Sequence, residues 1–108
     1  IHPVTGERKL HAGIDISCST GSTIVASDSG TVIAAGYNAY NGNYIKISHG
    51  NGIATMYLHC SRLLVSSGSH VSKGQIIAKS GATGMVSGAH LHFVVQKNGN
   101  YVNPVNYL

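Results

Sequence analysis

The sequence predicts an all-β domain. Valine, isoleucine, threonine and serine abound among its 108 residues, with 14 glycines and no tryptophan. Short stretches alternate apolar and polar residues with the period of two that belongs to a strand, as in Tyr44-Ile-Lys-Ile-Ser-His49. No stretch carries the 3.6-residue period of a long amphipathic helix. The length fits one domain with a modest core.

Residues 1–10 read as a turn-rich leading loop, with Pro3 and Gly6 flanking Val4-Thr5 and a solvated charge cluster at Glu7-Arg8-Lys9. A strand begins at His11 and runs through Ser17, where Gly13 and two β-branched isoleucines oppose a helix. A weak internal repeat follows. Gly30-Thr-Val-Ile-Ala-Ala-Gly36 resembles Gly74-Gln-Ile-Ile-Ala-Lys-Ser-Gly81, and each has a Gly-Ser start before it, at Gly21-Ser22 and Gly68-Ser69. Two related β-hairpin units are the expectation. Between them, residues 44–49 form a half-buried strand, His49-Gly-Asn-Gly52 a tight turn, and residues 53–59 another strand. Residues 61–65 fit either a brief helical turn or an extended connection. Gly81-Ala-Thr-Gly84 and Ser87-Gly88 form a loop into a strong strand over residues 89–96. Asn98-Gly99 centres a hairpin turn, and the tail beyond it starts extended and ends irregularly.

The formal net charge is +4, but the basic residues are scattered, which fits nucleic acid poorly. Mild basicity suits approach to an acidic polymer such as a bacterial cell wall. No apolar run is long enough to cross a membrane, and no signal peptide is visible. The chain opens at Ile1-His2-Pro3 without an initiator methionine. It is expected to be a single monomeric domain, residues 1–108, excised from a longer exported protein. Acidic residues number only 3: Glu7, Asp15 and Asp28. A His-Glu-x-x-His helix is absent, so a glutamate general base is hard to supply. Histidine, present 7 times, is the remaining candidate.

Four metal-competent side chains lie in two tight clusters, His11-Ala-Gly-Ile-Asp15 and His90-Leu-His92. Members of each are an even number of residues apart, which on a strand places them on one face. Two such strands side by side aim imidazoles and a carboxylate at one point, a donor set that suits zinc. An isolated His-x-His is more often a pair of surface histidines; the second cluster changes those odds. Asp15 lies between Ile14 and Ile16, where a carboxylate needs a partner to offset burial. His59 ends a strand of its own, and His2, His49 and His70 lie in loops or turns and receive no role. Spacing alone leaves two arrangements open. His11, Asp15, His90 and His92 could close a structural site, or three of them could bind zinc and leave a position for water. Cys18 and Cys60 follow Asp15 and His59 on the opposite parity. A disulfide behind the site and two buried thiols both fit.

His-x-x-x-Asp, an intervening Tyr57-Leu-His59, and Gly88-Ala-His-Leu-His92-Phe93 together resemble the lysostaphin-type zinc endopeptidases, which cut bacterial peptidoglycan. Supporting stretches are His2-Pro-Val-Thr-Gly6, Gly30-Thr-Val32, Val71-Ser-Lys-Gly-Gln-Ile76 and Val102-Asn-Pro104, so the resemblance covers essentially the whole chain. It implies antiparallel sheets forming a groove with a duplicated hairpin architecture. It also implies Zn2+ held by His11, Asp15 and His92, with His59 and His90 beside the metal as acid–base groups. The implied partners are peptidoglycan peptides and the implied location is extracellular or at the cell envelope. The glycine-bridge branch of that family often places a tyrosine before its first zinc-binding histidine, and none occurs between Ile1 and His11, so the resemblance implies bonds involving D-amino acids over pentaglycine bridges. Many relatives carry an acidic residue after His-x-His-Phe, where this chain has Val94 and Val95. Two other functions compete: a catalytically silent cell-wall binding or regulatory domain on the same fold, and a phosphohistidine carrier of the sugar phosphotransferase type. Five intact site residues favour the enzyme, and a carrier has no need of Asp15 as a ligand.

Overall fold

Residues that tolerate positive φ set where the strands turn back. Asn98 and Gly99 have φ of 52° and 83°, the pair of positive values that a two-residue type I′ hairpin requires. Gly50, Asn51 and Gly52, at 86°, 53° and 77°, make the other predicted turn. The two turns meet, since the Asn98 N–H donates to the Gly52 carbonyl at 2.8 Å.

The computed structural model describes residues 8–10, 14–17, 21–81 and 90–102. Among them are ten strands and no helix: β1 (Arg8–Leu10), β2 (Ile14–Ser17), β3 (Thr23–Val25), β4 (Gly30–Asn38), β5 (Gly42–Gly50), β6 (Ile53–Leu63), β7 (His70–Val71), β8 (Ile76–Ser80), β9 (His90–Lys97) and β10 (Asn100–Val102). They form one curled antiparallel sheet in the order β1-β2-β9-β6-β5-β4-β7, with β10 on β9, β8 on β6, and β3 on β8. The all-β prediction therefore holds.

Three local readings are refined. The leading loop contains β1, whose Arg8, Lys9 and Leu10 pair with Ile16, Asp15 and Ile14; charged residues on a short outermost strand are a common guard against edge-to-edge association. Residues 61–63 extend β6, so the extended alternative is the one adopted. The repeated segments occupy β3–β4 and β7–β8 and pair crosswise, β3 with β8 and β4 with β7. Matching backbone bonds mark the duplication. Ala26 exchanges bonds with Gly74 and Gln75, and Val32 with Gly68 and Ser69, all between 2.8 and 2.9 Å. Residues 11–13, 82–89 and 103–108, with parts of the predicted first strand, loop and tail, lie outside the described residues.

The core collects the inward side chains of both halves: Ile24, Val32, Ile45, Ile47, Tyr57, Ile77, Phe93 and Val95 are all buried. Val94 and Val95 are both buried, so apolar residues suit that stretch of β9. Tyr57 is the largest of the buried set, its ring 5.4 Å from that of Phe93. Its hydroxyl cannot reach water, yet it is fully bonded. The Ser27 N–H donates to it at 3.0 Å, Thr55 Oγ1 donates to it at 3.1 Å, and Ser27 Oγ lies at 3.0 Å. His49 extends the network, with Nε2 2.7 Å from Thr55 Oγ1 and Nδ1 donating to the Ser29 carbonyl at 2.7 Å. A histidine without an assigned role is thus a structural link.

Burial raises the Tyr57 phenol above its ordinary value of 10.0, outweighing the hydrogen bonds from Ser27 and Thr55 that favour the phenolate. A folded-state pKa above the unfolded one gives stability that is complete below pH ~10 and lost as pH rises toward the folded value. Tyr57→Phe should lack this alkaline loss. It should also cost about 1–3 kcal/mol at neutral pH by stranding the buried Ser27 N–H. Urea denaturation of both proteins from neutral pH to above pH 10 checks both outcomes; parallel pH profiles would refute the first.

Candidate metal centre

Strand β6 positions the site because two strands share one of its edges. Ile53 to Leu58 pair with β9, while Cys60 to Leu63 pair with β8. His59 sits at the joint. Its φ of 63° is left-handed, a conformation that costs a non-glycine residue about 1–3 kcal/mol unless its surroundings fix it. The pairing with β5 accommodates it as a bulge: a step of two along β5, from Asn43 to Ile45, is matched by a step of three along β6, from Cys60 to Tyr57. Strict alternation is lost, so Tyr57, Leu58, His59 and Cys60 are all buried in succession. Tyr57 and Cys60 both enter the core, and His59, only 7% exposed, turns to β9.

On β9 the register sets the remaining pieces. His92 is opposite Leu58 of β6 on one side and Asp15 of β2 on the other. Directly opposed residues of antiparallel strands share a face, with Cβ atoms about 4.5–5.5 Å apart. Asp15 and His92, far apart in sequence, are therefore nearest neighbours across one ladder. His90 is two residues along β9 from His92, opposite Ser17. The imidazole of His59 lies 6.2 Å from that of His92 between ring centroids, with the planes at 57°.

The backbone thus brings together Asp15, His92, His90 and His59, four of the five predicted site residues. For Asp15 and His90 the strand position is what is described; His11 lies outside the described residues. Among the described residues alone no three His, Cys, Asp or Glu side chains form a metal-holding group. The residue types opposed at the β2–β9 ladder, aspartate and histidine, are nevertheless ones that zinc takes. Cys60 is a buried core residue on the opposite side from His59, as parity suggested, and Cys18 lies outside the described residues. His70 is remote from the centre, with Nδ1 3.0 Å from Thr31 Oγ1.

Two further features brace the joint. Gly81, buried at the start of the 82–89 segment, lies against Ser61, where a Cβ would come within 2.7 Å of the Ser61 nitrogen. Opposite it, the turn between β4 and β5 reaches over to β6, and the Asn41 carbonyl accepts the His59 N–H at 2.8 Å. Asn38-Ala-Tyr-Asn-Gly-Asn43 is a strong turn signal in the sequence, but nothing local in it marks the contact with His59.

A curled antiparallel sheet that sets an aspartate and histidines at neighbouring positions on adjacent strands fits a metallopeptidase domain. The chain matches Peptidase family M23 over residues 9–104, and it belongs to that family. The family is zinc-dependent. Peptidoglycan DD-endopeptidase ShyC of Vibrio cholerae is 45% identical over 104 residues, covering 96% of this chain and 24% of that protein. A zinc-containing peptidase from Vibrio cholerae superposes with a TM-score of 0.84 at 39% identity, covering 86% of this chain and 29% of that one. The catalytic domain of lysostaphin from Staphylococcus simulans superposes with a TM-score of 0.83 at 31% identity, covering 95% of this chain and 86% of that domain. This chain thus spans about a quarter of the curated relative's length and nearly all of the isolated catalytic domain.

Proposed function

We propose that this domain is a zinc endopeptidase that hydrolyses peptide bonds of bacterial peptidoglycan. The observation that carries the reading is the Asp15–His92 pairing across β2 and β9 with the His59 ring beside it. Family membership and the DD-endopeptidase relative support it. In this reading His11, Asp15 and His92 hold the metal, and His59 and His90 do not ligate it.

Bound zinc supplies Lewis-acid activation of water and of the scissile carbonyl. The chain's own residues then manage the proton. A neutral imidazole of His59 or His90 accepts it from the attacking water and returns one to the leaving amine. The same group, as imidazolium, stabilises negative charge developing on the carbonyl oxygen. A chain with 3 carboxylates has few other groups for this work. Burial of His59 limits competition from bulk water for its hydrogen bonds. The domain acts at the cell envelope, and we place it outside the cytoplasm as part of a longer exported protein.

Substitution should separate the two roles. His11→Ala, Asp15→Ala and His92→Ala should lose zinc and activity together. His59→Ala and His90→Ala should retain zinc and lose about 10²–10⁴-fold in turnover. Metal content and cell-wall lysis measured on the same preparations decide this, and zinc loss from His90→Ala with retention in His92→Ala would reverse the assignment.

The bond cut is proposed to be a cross-link or stem bond that includes a D-amino acid, in line with the name borne by the relative at 45% identity. Purified peptidoglycan without glycine bridges should yield uncross-linked peptides by mass spectrometry. Rapid cleavage of free pentaglycine with no products from such walls would contradict it.

A further inference from the structure

Building on His59 as an acid–base group, we infer that the β4–β5 turn is a clamp that sets the position of His59, with Asn38 and Asn43 as its positioning residues. A left-handed histidine at a joint between two strand pairings leaves the local backbone groups of β6 out of step with a regular ladder. Three bonds from one turn take up that irregularity. The Asn41 carbonyl accepts from the His59 N–H at 2.8 Å. Asn43 Nδ2 donates to the carbonyls of Cys60 and Ser61, at 3.1 and 3.5 Å. The turn that presents them is held by Asn38, whose Oδ1 accepts from the N–H groups of Tyr40 and Asn41 at 3.0 and 2.7 Å. Gly42, at φ 67°, lets the chain pass from the Asn41 carbonyl to Asn43 within a single residue.

The two asparagines act through opposite chemistry. Asn38 is used as an acceptor and Asn43 as a donor. Aspartate keeps the acceptor and the size of asparagine but removes the N–H donors. The same substitution, with the same added charge, is therefore harmless at one position and damaging at the other. Neither residue is proposed to touch substrate or metal, so the loss falls on kcat rather than on KM. Misplacement of a reacting group by about 1 Å can cost on the order of 100-fold in rate.

The test compares Asn38→Ala, Asn38→Asp, Asn43→Asp and His59→Ala in the zinc-loaded enzyme acting on a soluble cross-linked muropeptide dimer. Zinc content and thermal melting are measured alongside. Asn43→Asp and Asn38→Ala should lose about 10- to 100-fold in kcat, with KM within about threefold and zinc retained. Asn38→Asp should stay within about twofold of the parent. A second readout avoids turnover altogether. In the metal-free protein, the His59 ring proton resonance, identified by its absence from His59→Ala, should move in Asn43→Asp and Asn38→Ala and stay in place in Asn38→Asp. Parental kcat and ring resonance in Asn43→Asp would overturn the clamp, as would equal impairment of the two aspartate variants. Full turnover in His59→Ala would instead overturn the role given to that histidine, while the resonance would still report whether the clamp exists. The Asn38 pair, on an exposed turn, carries the comparison even if Asn43→Asp melts early.

Discussion

Buried backbone groups must be hydrogen-bonded, and the centre of this domain is arranged around that requirement at one residue. β6 serves two partners on a single edge, and the change from β9 to β8 occurs at His59. A regular strand could not make that change and also send Leu58 and His59 toward β9 while Tyr57 and Cys60 stay in the core. The left-handed conformation at His59 resolves the conflict, and it persists because β5 and the β4–β5 turn hold it. Strain held by its surroundings is common where a side chain must be aimed rather than merely packed.

The duplicated segments give a frame for that joint. Each copy completes the other: β3 lies on β8 and β7 on β4, with matching bonds around Ala26 and Val32. In the core between them the Tyr57 hydroxyl is hydrogen-bonded on all sides, and among the described residues no buried side-chain polar atom lacks a partner. A rigid, hydrogen-bonded interior suits the acid–base role proposed for His59, whose ring is then held by packing and not by its own side-chain rotamer alone.

Much of this was legible in the sequence, for identifiable reasons. Period-two alternation located β5 and β6, and Asn98-Gly99 located the last hairpin, because both signals are local. The even spacing in His90-Leu-His92 placed two histidines on one face of β9, and the register then set His92 opposite Asp15. The charge cluster at residues 7–9 masked β1, since a short outermost strand has no apolar alternation to betray it. The crosswise pairing could not be read from the repeat, because similarity between two segments does not say which partner each takes. The bulge at His59 was invisible for a related reason. Tyr57-Leu-His59-Cys60 does not alternate strictly, but composition alone does not place a bulge, and the departure comes from competition between β8 and β9 for one edge.

The crosswise repeat also has a bearing on how the chain comes to be folded. Thr23 of β3 finds its partner Lys79 of β8 at a separation of 56 residues, whereas β5 and β6 meet through a tight turn. Closing the long loop is entropically expensive before any contact rewards it. The central β5–β6 hairpin is therefore the natural early element, and β3 has nothing to pair with until β8 has been synthesised. Neither copy of the repeat can be an autonomous half, so the domain is indivisible: a break between the copies leaves two pieces that each lack the strand the other supplies.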